Sequence, residues 1–285
     1  MHLLAHGGAG SRPGEPTQRQ AVLDRAAAAG VDPDSPAEAV VAAVTVLESD
    51  PRFNAGVGSA VQSDGVIRTD GGFMLDDGTT GAACSMPGVE RAIEVARLVA
   101  EETPHILLSG DHAVEFARAH GVETDRDLWC DRTRDRWADL SDRSGAGVRD
   151  QLDWVREQFG GTDTVGAVAT DGDRLAAATS TGGRWAALAG RVGDVPQVGS
   201  GFYASTEAAV SATGAGEAIA RFGLARRVAN AIDDGDDPQT ATDRLIRAFG
   251  SETGEQAGVI AVDSAGRMGS AFNSEAMQTA SARER

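Results

Sequence analysis

The second half of this sequence opens with its most constraining feature, a hairpin of small and β-branched residues. Thr164-Val-Gly-Ala-Val-Ala-Thr170 and Leu175-Ala-Ala-Ala-Thr179 are separated by Asp171-Gly172-Asp173, a tight-turn signal between two runs that read as buried strands. A second hairpin is expected from Val259–Val262 and Met268–Phe272, and Met1–His6 reads as a short buried strand ending in the glycine turn His6-Gly-Gly-Ala-Gly10. Between these lie helices. Thr17–Ala29 has Thr17 and Gln20 in capping-box spacing, and Ser35-Pro36-Ala37-Glu38 is a stronger start for a helix whose Val40, Val41, Val44 and Leu47 form one stripe. Helical periodicity returns over Val89–Glu101, Asp111–His120, 148–159, 216–232 and 238–249. The mixed Asp and Arg of 121–147 read as an exposed linker, with a solvated helix face as the plain alternative. Strands, two helices and strands again in each half imply an antiparallel sheet sandwich with helices packed outside.

At 285 residues and 41% hydrophobic content the chain can bury a real core. Its 43 Asp and Glu face 26 Arg and no Lys, a formal net charge of -17 that repels nucleic acid and anionic membranes. Carboxylates in excess, with Arg as the only cationic side chain, fit a protein soluble in concentrated salt, where repulsion among surface acids is screened. Cys84 and Cys130 lack CxxC spacing and read as small core residues. MHLLAHGGAG carries no signal-peptide pattern and no run of 18 apolar residues occurs, so a soluble cytoplasmic protein is expected.

Conventional catalytic patterns are missing. The five histidines show no metal-ligand spacing, Ser180 is not in a GxSxG elbow, and neither Asn54-Ala-Gly-Val-Gly-Ser59 nor Thr213-Gly-Ala-Gly-Glu217 completes a nucleotide-binding fingerprint. What remains is a set of threonines, Thr164, Thr179, Thr181 and Thr213, with a flexible approach, Gly160-Gly-Thr-Asp163, leading into the buried strand. Cleavage of the Asp163–Thr164 bond frees an α-amine beside the Thr164 hydroxyl. That amine, with a pKa of about 7.7–8.0, makes one residue both nucleophile and base.

Thr164-Val-Gly-Ala-Val-Ala, Ala-Ala-Thr179-Ser-Thr-Gly-Gly183 and Gly190-Arg-Val-Gly-Asp194 resemble the plant-type asparaginase and isoaspartyl peptidase family of N-terminal-nucleophile hydrolases. His6–Gly10, Phe53–Ser59, Thr103-Pro-His105 and Ser211–Glu217 stand in the expected order, so the resemblance spans nearly the whole chain. It implies one four-layer αββα domain of the α+β class that cleaves itself into an α-chain, 1–163, and a β-chain, 164–285. It also implies hydrolysis of the side-chain amide of asparagine and of β-aspartyl dipeptides. By position, Thr164 is the nucleophile, Thr181 orients it, and the Thr213 hydroxyl with the Gly214 N–H forms the oxyanion hole. Arg191 grips the substrate α-carboxylate, Asp194 and the Gly216 carbonyl hold its α-ammonium, and Asn54 lies beside the nucleophile. The resemblance implies no organic cofactor, a structural sodium ion in the loop near Glu48 and Phe53, and a homodimer of αβ units.

Two departures keep alternatives open. Asp163 stands where most plant-type relatives have glycine and is similar to the glycosylasparaginase and threonine-aspartase branches, in which the carboxylate assists self-cleavage. Arg184-Trp-Ala-Ala-Leu-Ala189 replaces a polar run and brings Trp185 toward the pocket. A glycosylasparagine amidase, a threonine-type aspartyl protease, and an unprocessed amino-acid-binding protein are the other readings.

Overall fold

The alternation of small side chains along the two central strands decides the layering. In β5 (Val165–Thr170) Ala167 and Ala169 face one way and Val168 the other; in β6 (Leu175–Thr181) Ala176 and Ala178 oppose Leu175 and Ala177. Both faces are therefore apolar and both are covered. The computed structural model of the chain describes residues 1–140, 152, 154–155 and 163–283, and it is an α+β sandwich of four layers, helix, sheet, sheet and helix.

The larger sheet has seven strands in the order β11 (Ala276–Arg283), β1 (His2–Gly10), β5, β6, β2 (Arg68–Leu75), β3 (Thr80–Pro87), β4 (Leu107–Ser109). All its pairings are antiparallel except β3 with β4. The smaller sheet runs β10 (Met268–Phe272), β9 (Ala257–Asp263), β8 (Ala208–Gly214), β7 (Phe202–Ala204). Leu4, Val168, Leu175, Phe202, Ile260 and Val262 fill the space between the sheets. Outside the larger sheet lie α1 (Pro16–Ala29), α2 (Pro36–Glu48) and α3 (Ala92–Glu102), with α4 (Gly110–Ala119) against β3. α5 (Asp131–Ala138) and α6 (Gly216–Phe222) flank the site described below, and α7 (Leu224–Asp233) with α8 (Pro238–Thr253) covers the smaller sheet.

The expected hairpins and most helices are present, and the departures have physical reasons. β1 does not stop at His6; it runs through the glycines to Gly10, and its register with β11 shifts between His6 and Ala9. The Thr17–Gln20 capping box does not form, because α1 starts one turn position earlier, at Pro16 behind Glu15. Ser35 does cap α2, its hydroxyl accepting from the Glu38 N–H at 3.3 Å. The single helix expected over 216–232 is two, broken at Gly223, whose φ of 67° is left-handed. The linker expected over 121–147 contains α5, and Leu128 and Thr133 are buried there; the rest of it and most of the helix expected over 148–159 lie outside the described residues. β11 was not expected: its polar and small residues pair as an edge strand along β1. Among the described residues no helix is long and apolar enough to cross a membrane.

Glu48, the last residue of α2, is fully buried, and its Oε1 accepts from Ser180 Oγ at 2.6 Å and from the Ile93 N–H at 3.0 Å. One side chain thus ties α2, β6 and α3 together. Burial pushes its pKa up to about 8, opposed by those two hydrogen bonds. A carboxyl that holds its proton when folded and releases it when unfolded stabilises the fold at pH 5 and progressively less as pH rises toward 8. Glu48→Gln keeps the shape and cannot ionise. Its unfolding free energy is predicted to fall between pH 5 and pH 8 by at least about 1 kcal/mol less than that of the parent, read from denaturant melts at the two pH values.

Candidate active site

Thr164 is the residue before β5, and continuing the β5–β6 register places it opposite Thr181, the end of β6. The carbonyl of Asp163 is the centre of the arrangement. It accepts from Asn54 Nδ2 at 2.7 Å and from Thr181 Oγ1 at 3.2 Å. Asn54 is itself fixed by the Ala60 N–H on its Oδ1, at 2.7 Å, and by a second bond from Nδ2 to the Gly183 carbonyl, at 2.7 Å. Thr181 Oγ1 accepts from the Gly183 N–H at 3.1 Å, which leaves its proton for Asp163. Two rigidly held donors on one carbonyl polarise it toward attack by the next residue's hydroxyl. In this uncleaved chain the Thr181 hydroxyl lies on the carbonyl side of the Asp163–Thr164 bond.

The far wall comes from β8 and β1. Thr213 is fully buried, and its Oγ1 accepts from the Ala9 N–H at 3.3 Å, so its own proton is available to an incoming oxygen. Gly214 follows at the end of β8. Gly8, beside Ala9, packs against the Asp163 carboxylate.

The third group sits at the start of α6. Arg191 Nε donates to Glu217 Oε1 at 2.8 Å, while Arg191 Nη2 and Asp194 Oδ2 are buried without a hydrogen-bond partner among the described residues. An unpaired guanidinium nitrogen beside an unpaired carboxylate oxygen is the complement of an amino acid's carboxylate and ammonium. Burial pushes the Asp194 pKa up to about 6, against the lowering effect of Arg191. Gly216 permits the approach: a Cβ there would lie 2.6 Å from Asp194 Oδ1 and 2.8 Å from Arg191 Nη2.

Sequence reasoning missed four participants. Asp70 in β2 pairs in register with Thr181, accepts the Ser85 N–H at 2.7 Å, and is raised to about 7 by burial, with Arg191 opposing and Asp194 adding. Arg19 in α1 donates to the Gly7 carbonyl, stacks over Phe53, and lies 3.9 Å from the Asp163 carboxylate. It occupies a core-facing position with Val22, Leu23, Ala26 and Ala27, and a charged residue on an apolar stripe was the available signal. Arg132 of α5 bonds the Pro51 and Gly58 carbonyls at 3.0 and 2.8 Å. His6 donates to or accepts from Ser211 Oγ at 2.9 Å beneath β5, and burial, which lowers its pKa to about 3, keeps it neutral. Cys84 is buried and its thiol pKa is pushed up to about 12, first by burial and then by Asp70, so it is inert.

Trp185 is buried with Trp129, Trp137 and Trp154, edge-on to Trp137 at 6.2 Å. It lines a cavity of about 80 Å³ with Asn54, Arg136, Asp163 and Gly183. Among the described residues no group of three or more His, Cys, Asp or Glu forms a metal site. In the loop expected to hold sodium the Glu48 and Glu90 carbonyls crowd Gly56, 2.2 and 2.8 Å from where its Cβ would be, and the Glu48 carbonyl accepts the Val57 N–H at 2.9 Å.

Comparison with known proteins gives a consistent result. A family model described as asparaginase matches residues 1–285. The chain is 38% identical over 262 residues to a plant-type L-asparaginase of Pyrococcus furiosus, covering 87% of this chain and 83% of that one. It is 36% identical to a plant-type L-asparaginase of Thermococcus kodakarensis, covering 98% and 95%. It is also 36% identical to an isoaspartyl peptidase/L-asparaginase of Danio rerio, covering 99% and 92%.

The crowding at Gly216 makes a direct prediction. Gly216→Ala should fold, because the position begins a helix, and should raise KM for an amino-acid substrate at least about tenfold by displacing Arg191 and Asp194. Steady-state kinetics on the purified variant check this.

Proposed function

The chain belongs to the asparaginase family, and we propose that it hydrolyses the side-chain amide of L-asparagine and the isopeptide bond of β-aspartyl dipeptides. The observation that carries the proposal is the pair of unpartnered atoms, Arg191 Nη2 and Asp194 Oδ2, whose side chains pack against Gly216 in the same Thr213–Gly216 segment as Thr213 and Gly214. Both substrates share the free α-carboxylate and α-ammonium of an aspartyl group, and only such a group satisfies both atoms.

Maturation comes first in this account. Thr164 Oγ attacks the Asp163 carbonyl carbon; the charge developing on that oxygen is received by Asn54 and Thr181; the C–N bond breaks and the α-amine of Thr164 is freed. Water then hydrolyses the ester, leaving Asp163 as a carboxylate and Thr164 as a new N-terminus. In turnover the amine takes the Thr164 hydroxyl proton as the oxygen attacks the substrate carbonyl, and Thr213 Oγ1 with the Gly214 N–H receives the oxyanion. The leaving amine departs with that proton, and a second water releases aspartate from the β-aspartyl ester. Asp163, half-buried between Gly8 and Arg19, belongs to maturation.

No organic cofactor is needed for these steps. A sodium ion near Glu48 and Phe53, a homodimer of cleaved units and a salt-rich cytoplasm complete the proposal. The last rests on a net charge of -17 without a single Lys.

Thr164→Ala should fold, remain uncleaved and show no hydrolysis of asparagine or of β-Asp-Leu, and any turnover by it would overturn the nucleophile. Asn54→Ala is expected to slow maturation by about 10²–10³, since it removes one of two donors to the carbonyl under attack, as followed by gel densitometry after synthesis. Because Asp194 binds an ammonium only when ionised, KM should rise as pH falls through about 6, while kcat should fall as pH drops below about 7.7–8.0, where the Thr164 amine is protonated and no longer a base.

A further inference from the structure

The proposed reaction leaves one feature of the surface unexplained. In a chain of net charge -17, five arginines, Arg12, Arg19, Arg52, Arg132 and Arg184, line a single cleft of about 660 Å³. Its other walls include Asp163, Ala215, Glu255 and Gln256. Ala215 lies between Gly214 and Gly216, so the cleft begins where the oxyanion hole and the aspartyl-binding residues end. It also begins at Asp163, beside the nucleophile.

The charges there are not all neutralised. Arg52 is paired with Asp50 and Glu15, Arg184 with Glu217, and Arg19 leans on Asp163. The Arg12 and Arg132 guanidinium groups have no carboxylate within 4.0 Å among the described residues; the Glu275 carboxylate accepts only the Arg12 backbone N–H, at 3.4 Å, and Arg132 bonds backbone carbonyls and acts on Asp163 from a longer distance. Among the described residues Glu255 is the only acid besides Asp163 in the lining. Elsewhere on the described surface many arginines sit against acids, as Arg68 does against Asp64, Arg97 against Glu101, Arg174 against Asp76 and Asp77, and Arg244 against Asp236, while others such as Arg25 and Arg226 meet a backbone carbonyl or an aromatic ring. A cleft with unpaired cations in an acidic protein concentrates anions locally, and arginine forks suit carboxylates.

We propose that this cleft is the subsite for the leaving residue of a β-aspartyl dipeptide and that it selects residues with an acidic side chain, β-Asp-Glu and β-Asp-Asp above neutral dipeptides. The inference rests on the proposed function, with the aspartyl half anchored by Arg191 and Asp194. Held there, the substrate directs its scissile bond toward Thr164 and everything beyond it past Ala215 into the cleft. The leaving residue brings its α-carboxylate and, when acidic, a second carboxylate to Arg12 and Arg132. Ammonia released from asparagine never reaches these residues, so asparagine turnover is blind to them.

The test compares kcat/KM for β-Asp-Glu with the near-isosteric β-Asp-Gln, and for asparagine, at one fixed salt concentration, in the cleaved enzyme and in its Arg12→Glu variant. Arg12 is exposed and outside the catalytic machinery, so the variant should fold and keep its asparagine activity. The parent is expected to prefer β-Asp-Glu by at least about fivefold, and Arg12→Glu to abolish or invert that preference. Equal rates on the two dipeptides, or a preference unmoved by Arg12→Glu, would overturn the subsite while leaving the hydrolase intact. Asparagine hydrolysis without cleavage of either dipeptide would overturn both the subsite and the isopeptidase half of the proposed function. Loss of all activity toward asparagine in the parent would instead sink the proposed function itself.

Discussion

The carbonyl of Asp163 is the point on which the structure turns. Asn54 reaches it from the loop after α2 and Thr181 from the end of β6, and each of those side chains is held by a further bond to the backbone around Ala60 or Gly183. For both donors to meet one oxygen, the turn after α2, the central hairpin and the residue before β5 must be placed within tenths of an ångström. The four-layer packing does that. Leu47, Phe53 and Val44 lock the α2 side onto the outer face of β5 and β6, and the inter-sheet core fixes the strands from the other face. The hydrogen-bonding geometry is thus a consequence of burying two faces of a small-residue hairpin.

Electrostatics divides the molecule into two regimes. On the surface, acids outnumber arginines and are solvated. Inside, three carboxyls, Glu48, Asp70 and Asp194, are withdrawn from water, and burial raises each pKa. Glu48 has two hydrogen-bond donors and acts as a structural tie. Asp194 and Asp70 share the field of Arg191, whose own charge is partly met by Glu217. Arg191 Nη2 and Asp194 Oδ2 stay without a hydrogen-bond partner among the described residues, an expensive arrangement for a core and a useful one for a zwitterionic ligand.

What could be read from the residues alone followed locality. The hairpin at 164–179 and the Ser35 cap are short-range signals, and they appear as expected or shifted by a residue or two, whereas β1 runs on through its glycines and Gly223 breaks a helix read as continuous. The ordered motifs located Thr164, Thr181, Thr213, Arg191, Asp194 and Asn54, which the fold brings to one region although the chain separates Asn54 from Thr213 by more than half its length. α5 was left undecided between a linker and a solvated helix because its stability is tertiary: Thr133 is buried and Trp137 packs on Trp185 from a distant loop. Arg19, Asp70 and Arg132 were passed over for the same reason, since a charged residue declares its role only through partners that sequence does not show. β11 lacks an apolar period because it buries a single residue toward each face, Met277 between the sheets and Ala280 in the core beneath the helices, with polar residues between them.

The account stands or falls on whether the bond at this carbonyl is cut. Denaturing mass spectrometry of the purified chain, with N-terminal sequencing, addresses it most directly. Two polypeptides, residues 1–163 and a second beginning at Thr164, are the predicted result. A single 29.3 kDa chain that persists through long incubation in molar salt would contradict it.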